Sequence, residues 1–150
     1  MSDLWHNQIL VISLVSWAAA QIIKVIVVLV QEKRIAWNYF ITSGGMPSSH
    51  SSTVTALTTA IAFQEGLGSD YFSLAAVLAV IVMYDAAGVR QSVGEHSAIL
   101  NIIIKDFRLK DRLDREKALR EFIGHTPFQV IMGALLGILI ATAWVLLSRL

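Results

Sequence analysis

The chain has 150 residues, of which 55% are hydrophobic and only 15% are charged, and its formal net charge is +1. Soluble domains carry about 25% charged residues, so the composition excludes an ordinary soluble protein and indicates a single membrane domain over residues 1–150. The absence of cysteine excludes disulfides, thiolate metal sites and cysteine nucleophiles. The sequence shows no metal-ligand spacing, no nucleotide-binding loop and no nucleic-acid signature.

Four apolar segments are candidate membrane helices, because a span needs about 20 mostly apolar residues. They run from Ile9 to Val30, from Ser48 to Phe63, from Tyr71 to Val89 and from Pro127 to Leu147. The loop between the second and third segments is so short that it predicts an antiparallel hairpin. The fold class predicted is therefore all-α, a polytopic membrane bundle of about four spans.

The second segment is the least apolar of the four. Its hydroxyl side chains recur three or four residues apart, at Ser48, Ser51, Ser52, Thr55, Thr58 and Thr59. Residues at this spacing share one helix face, and such a stripe is expected to face other helices or a wet cavity. The last segment contains Gly133 and Gly137, whose spacing favours close helix packing.

Basic residues are concentrated in two connections, around Lys33 and Arg34 and between residues 90 and 120. Residues 105–121 carry opposite charges at i,i+4 spacing, which predicts a solvated cytoplasmic or interfacial helix. The positive-inside rule places both connections in the cytoplasm of an integral plasma- or inner-membrane protein. The polar residues expected at that face are His50, Arg90, His96 and His125.

The segment from Gly44 to His50 combines two glycines, a proline, two serines and a histidine at the start of an apolar helix. Pro47 suits the first helical turn, and the following N–H groups form an anion site at the positive end of the helix dipole. His50 in the same turn can move protons near neutral pH. The alternative is a capped helix whose histidine only touches lipid headgroups.

Two ionisable residues lie inside predicted spans, where such groups are functional candidates by default. Lys24 forms a polar patch with Gln21, one turn away, although its ammonium could instead snorkel to the headgroups. Asp85 needs a cationic partner, either Lys24 or Arg90. A structural ion pair and a catalytic role both remain open for this carboxylate.

A second polar group follows the third span. Arg90 can bind phosphate oxygens bidentately, and His96 lies six residues further along, after a glycine. Arginine, histidine and a helix N-terminus are what phosphoryl transfer to an imidazole needs. His125 precedes the last span. It is either a catalytic residue or a histidine that only caps the helix or contacts the membrane interface.

These motifs resemble a known family. Pro47-Ser48-Ser49-His50 looks like the Pro-Ser-Gly-His motif of the type 2 phosphatidic acid phosphatase superfamily, which includes the vanadium haloperoxidases. Arg90 and His96 have the spacing of its Arg-x5-His motif. The pattern from Lys24 to Gly137 is similar to the small divergent branch of that superfamily.

The resemblance implies an all-helical core and a metal-independent phosphomonoesterase that uses no cofactor. His96 would attack phosphorus, and His50 would protonate the leaving alkoxide. The residues that would hold the phosphate are Lys24, Ser48, Ser49 and Arg90. The expected partners are membrane lipids and a phosphorylated lipid substrate, and self-association into a homo-oligomer stays open.

The chain departs from the family pattern at two places. The family has a Lys-x6-Arg-Pro motif. This chain has its lysine, Lys24, but no arginine at the expected distance, so that arginine is missing or is replaced by Arg34. The family also has an aspartate that orients the nucleophile, and this chain has Leu100 at that position. Asp85 or Glu95 would have to take over the role of the aspartate.

A second match complicates the choice of nucleophile. The segment that begins at His125 resembles the one that follows the family's nucleophile, with Gln129 in the aspartate position. His125 is therefore the alternative nucleophile, and we favour His96.

The sequence predicts a membrane phosphatase that hydrolyses a lipid phosphate or pyrophosphate through a phosphohistidine. The alternative is a non-catalytic membrane protein that binds or moves phosphorylated lipids. A purely structural membrane subunit would leave three convergent histidines unexplained.

The predicted topology is tested with Gly68→Cys, since the chain has no other cysteine. A membrane-impermeant thiol reagent added outside intact cells is expected to label this position. Labelling only from the cytoplasmic side would overturn the assignment of the basic connections to the cytoplasm.

Overall fold

The computed structural model describes residues 6–33, 45–88, 96, 99–100, 102–103 and 126–148. These residues contain no strand, and the helices they form are α1 (Gln8–Glu32), α2 (Ser49–Glu65), α3 (Asp70–Ala87) and α4 (Pro127–Ser148). The all-α class and the four predicted segments are confirmed, with ends that differ by two residues at most. The charged helix predicted over residues 105–121 lies outside the described residues.

Local capping explains where the helices begin and end. The Asn7 side chain accepts a hydrogen bond from the Leu10 N–H at 3.1 Å, and the Ser69 hydroxyl accepts one from the Phe72 N–H at 3.1 Å. Each bond satisfies a first-turn N–H that has no partner within its helix. Gly66, with a φ of +84°, ends α2 and starts the predicted hairpin.

Three of these helices are long and apolar enough to cross a membrane, namely Gln8–Val30 of α1, α3 and α4. The fourth, α2, has 17 residues and would extend about 25 Å at 1.5 Å per residue. That length is below the roughly 30 Å of a bilayer's hydrocarbon core. The short helix is instead enclosed by the others, because it contacts α1, α3 and α4.

The hydroxyl stripe of α2 faces other helices, as predicted. The Ser16 hydroxyl of α1 lies 2.6 Å from the Ser52 hydroxyl, and the Thr55 hydroxyl donates to the Ala134 carbonyl of α4 at 3.1 Å. Buried hydroxyls are tolerated only when they are hydrogen-bonded. The stripe therefore connects α2 to its neighbours, while Thr58 reaches α3.

Glycines allow α4 to pack directly on the backbone of α2. A Cβ atom at Gly133 would overlap the Ser48 carbonyl oxygen, and one at Gly137 would overlap the Ser52 carbonyl and the Thr55 hydroxyl. No side chain larger than hydrogen fits at either position without a backbone shift. The predicted role of the two glycines in close helix packing is confirmed.

The contacts fix the directions of the helices. Helices α2 and α4 run parallel, while α1 and α3 run antiparallel to them. One end of the bundle, here called the lysine end, contains Lys24, Ser48 and Gln129. The opposite end contains His6 and Ser148, which line a cavity there.

Gly137→Ala is expected to destabilise the protein by about 1–3 kcal/mol, because overpacking forces two backbones apart. Thermal unfolding in detergent measures the change. The control is Gly68→Ala, since nothing lies within 4 Å of a Cβ atom there. Equal unfolding temperatures for the two variants would contradict the close α2–α4 contact.

Candidate functional site

Lys24 is the central residue of the lysine end. Its side chain is completely buried, although it belongs to a helix long and apolar enough to cross a membrane. Its ammonium donates a hydrogen bond to the Gln21 side-chain oxygen at 2.8 Å. The polar patch predicted from the sequence is present, and the complete burial is incompatible with snorkelling of the ammonium to the headgroups.

Gly45 covers the aliphatic part of Lys24. A Cβ atom at Gly45 would lie 3.0 Å from the lysine Cγ and 3.1 Å from its Cδ, and the φ of Gly45 is +95°. The backbone conformation therefore favours glycine, and a Cβ atom would also force the lysine methylenes to shift by a few tenths of an ångström. This contact brings the turn that precedes α2 against the middle of α1.

Ser48 is the N-cap of α2, and all its polar groups take part in local structure. Its hydroxyl accepts hydrogen bonds from the Ser51 N–H at 3.4 Å and the Ser51 hydroxyl at 3.1 Å. Its N–H donates to the Gln129 carbonyl at 3.1 Å, and its own carbonyl accepts from Ser52. Pro47 thus precedes the cap, and its predicted place in the first helical turn is wrong.

The start of α4 has a reciprocal cap. The Thr126 hydroxyl accepts from the Gln129 N–H at 3.4 Å, and the Gln129 side-chain oxygen accepts from the Thr126 N–H at 3.2 Å. The Thr-x-x-Gln spacing is the signature of a capping box, which the sequence analysis missed when it placed Gln129 in the family's aspartate position. The amide oxygen of Gln129 serves this cap.

Two helices therefore begin side by side at the lysine end, joined by the bond between Ser48 and Gln129. Each N-terminus carries about half a positive charge, and the ammonium of Lys24 adds a full one. The first-turn N–H groups of Ser49 and His50 precede the first intrahelical bond of α2. These groups lie at the same end of the bundle, and helix N-termini and ammonium groups are both known to attract anions.

His50 belongs to the first turn of α2. Its side chain is half-buried, and its Nδ1 atom is shielded from solvent. It lies two residues after the cap of α2, at the same end of the bundle as Lys24. Its role as a proton-carrying group stays a prediction.

Asp85 lies in the last turn and a half of α3 and is half-buried. The Thr58 hydroxyl bonds to the Ala75 carbonyl, and α2 and α3 are antiparallel. Ten residues toward the N-terminus of α2 and ten toward the C-terminus of α3, the same register predicts that Asp85 lies at about the level of Ser48. Its predicted pairing with Lys24 or Arg90 stays a prediction, because Arg90 lies outside the described residues.

The candidate nucleophiles are only partly described. His96 has helical backbone and an exposed side chain, and Leu100, in the family's aspartate position, is exposed as well. Arg34, Glu95 and His125 lie outside the described residues. Lys24, Ser48, Ser49 and His50 lie at the same end of the bundle, where Lys24 contacts Gly45 in the turn before α2. The choice between His96 and His125 stays a prediction.

A small helical membrane protein with a buried lysine at the end of the bundle where two parallel helices begin is the class defined by this fold and site. The chain belongs to the Divergent PAP2 family, whose model matches residues 5–140. It is 38% identical over 148 residues to the uncharacterized membrane protein YuiD of Bacillus subtilis (strain 168), covering 92% of this chain and 94% of that relative. No solved structure gives a significant match.

Ser48→Ala is expected to lower both stability, by about 1–2 kcal/mol, and phosphate binding, because the cap shapes the start of α2. The matched control is Ser69→Ala, which removes the cap of α3 at the opposite end and is expected to lower stability alone. Unfolding temperature and affinity for orthovanadate are measured for both. An equal loss of affinity in both variants would contradict a local role of Ser48.

Proposed function

We propose that the protein is a membrane phosphatase that hydrolyses a lipid phosphate or pyrophosphate through a phosphohistidine. The observation that carries this proposal is the buried ammonium of Lys24 at the end where two parallel helices begin, with His50 in the first turn of one of them. Cationic groups fixed in advance stabilise the charge of a phosphoryl transition state. An imidazole beside them supplies the proton that a leaving alkoxide needs.

The reaction has two steps. The imidazole of His96, or of His125, attacks phosphorus in line, forming a P–N bond as the P–O bond to the leaving group breaks. His50 donates its proton to the leaving oxygen. Water then attacks phosphorus as His50 accepts its proton, and cleavage of the P–N bond releases phosphate and the free histidine.

In this proposal, Lys24 and the N–H groups of Ser49 and His50 hold the non-bridging oxygens, together with the predicted contribution of Arg90. The position of Lys24 at the end where α2 begins supports this assignment. The Ser48 hydroxyl supports this arrangement as a helix cap.

A lipid substrate is supported by the depth of the site. Helix α1 continues beyond Lys24 with six apolar residues to Val30, and Ile26 and Val30 are exposed. At 1.5 Å per residue, these residues extend about 9 Å past the lysine. The proposed anion site is therefore next to exposed apolar side chains of α1, which can contact the acyl chains of a lipid whose phosphate the site binds.

The second candidate function is binding or transport of phosphorylated lipids without hydrolysis. It is favoured by Leu100, an exposed apolar residue at the position where the family has the aspartate that orients its nucleophile. A histidine that lacks an orienting carboxylate is a weaker nucleophile. The same cationic centre would then hold the phosphate without turnover.

Phosphate release from a panel of lipid phosphates and pyrophosphates tests the proposal with purified protein. His50→Ala is expected to lower the rate about 100-fold or more, because it removes the general acid. Of His96→Ala and His125→Ala, the variant that lacks the nucleophile is expected to be inactive.

The matched control is His6→Ala, since His6 lies at the opposite end of the bundle, and it is expected to retain the wild-type rate. Failure of the wild type to release phosphate from any lipid would refute the phosphatase. Saturable binding of the same lipids by that inactive protein would support the second candidate.

A further inference from the structure

We propose that Gln21 is a positioning residue that aims the Lys24 ammonium at an anionic ligand without adding a negative charge of its own. The inference rests on the proposed function, because it concerns the same phosphate site. Gln21 is outside the motifs that the resemblance covers, and its role is argued from the geometry of α1.

The two side chains are held together inside the bundle. Gln21 and Lys24 are three residues apart and share one helix face; Gln21 is 4% exposed and Lys24 is 0% exposed. The side-chain oxygen of Gln21 lies 2.8 Å from the lysine nitrogen, and the methylene groups of the lysine pack under Gly45. Gly45 thus holds the methylene groups of Lys24, and Gln21 holds its ammonium.

The chemical nature of the acceptor distinguishes a functional from a structural role. A buried ammonium needs acceptors, and a carboxylate is the stronger one, since hydrogen bonds between ionised groups are about twice as strong as neutral ones. A carboxylate at this position would also cancel the lysine charge and repel an incoming phosphate. A neutral amide orients the ammonium and adds no charge, which is what an anion site requires.

The test compares Gln21→Glu, Gln21→Met and Lys24→Met with the wild type. The affinity of the purified full-length protein for orthovanadate and inorganic phosphate is measured beside its unfolding temperature. Gln21→Glu is expected to unfold at or above the wild-type temperature, yet to bind phosphate about 10- to 100-fold more weakly. Gln21→Met keeps the bulk of the side chain but removes the acceptor, so it is expected to weaken binding through misplacement of the ammonium.

The outcomes separate this inference from the proposed function. If Gln21→Glu binds phosphate as tightly as the wild type, or unfolds well below it, the positioning role is refuted while the phosphate site stands. If the wild type binds neither anion, the proposed site fails and the role of Gln21 fails with it. Weak binding by Lys24→Met with tight binding by the wild type supports the site itself.

Discussion

The arrangement of the bundle depends on the burial of one lysine ammonium within an apolar helix. Lys24 is completely enclosed, and a charge in that position is tolerated only with hydrogen-bond acceptors close by. Gln21 supplies one from the same helix. Gly45 packs over the methylene groups of the lysine, and this contact holds the turn before α2 against α1. The same contact therefore buries Lys24 and positions the start of α2.

The contacts that stabilise the bundle also generate its electrostatics. Gly133 and Gly137 let α4 approach the backbone of α2, and the Ser48 N–H bonds to the Gln129 carbonyl. Because α2 and α4 are parallel, this packing brings two helix N-termini to the level of the buried lysine. Helix dipoles act mainly within their first turn, so under the proposed function an anion at that level would interact with both N-termini and with the Lys24 ammonium.

Much of the fold was predictable from local patterns. The length of the apolar segments identifies the helices, and the 3.6-residue period of the hydroxyls indicates that one face of α2 is internal.

Features that depend on tertiary contacts are not predictable in this way. Lys24 is buried rather than snorkelling partly because Gly45 packs against its side chain. The sequence alone does not show that these two residues are in contact. A proline fits the first helical turn, which favours Pro47 there, but the Ser48 hydroxyl accepts from the Ser51 N–H and the Ser48 carbonyl from the Ser52 N–H, so the serine is the cap. The resemblance puts Gln129 in the position of a catalytic aspartate, but its spacing from Thr126 is that of a capping box, and the structure has this cap.

A chain in which only 15% of the residues are charged encloses the Lys24 ammonium at the end of the bundle where α2 and α4 begin. The central proposal is that an anion, the phosphate of a lipid, binds between Lys24 and the start of α2. The most direct test is an experimental structure determined with saturating orthovanadate. We expect vanadate within hydrogen-bond distance of the Lys24 ammonium and of the N–H groups of Ser49 and His50. Vanadate bound elsewhere, or a site without vanadate at saturation, would contradict it.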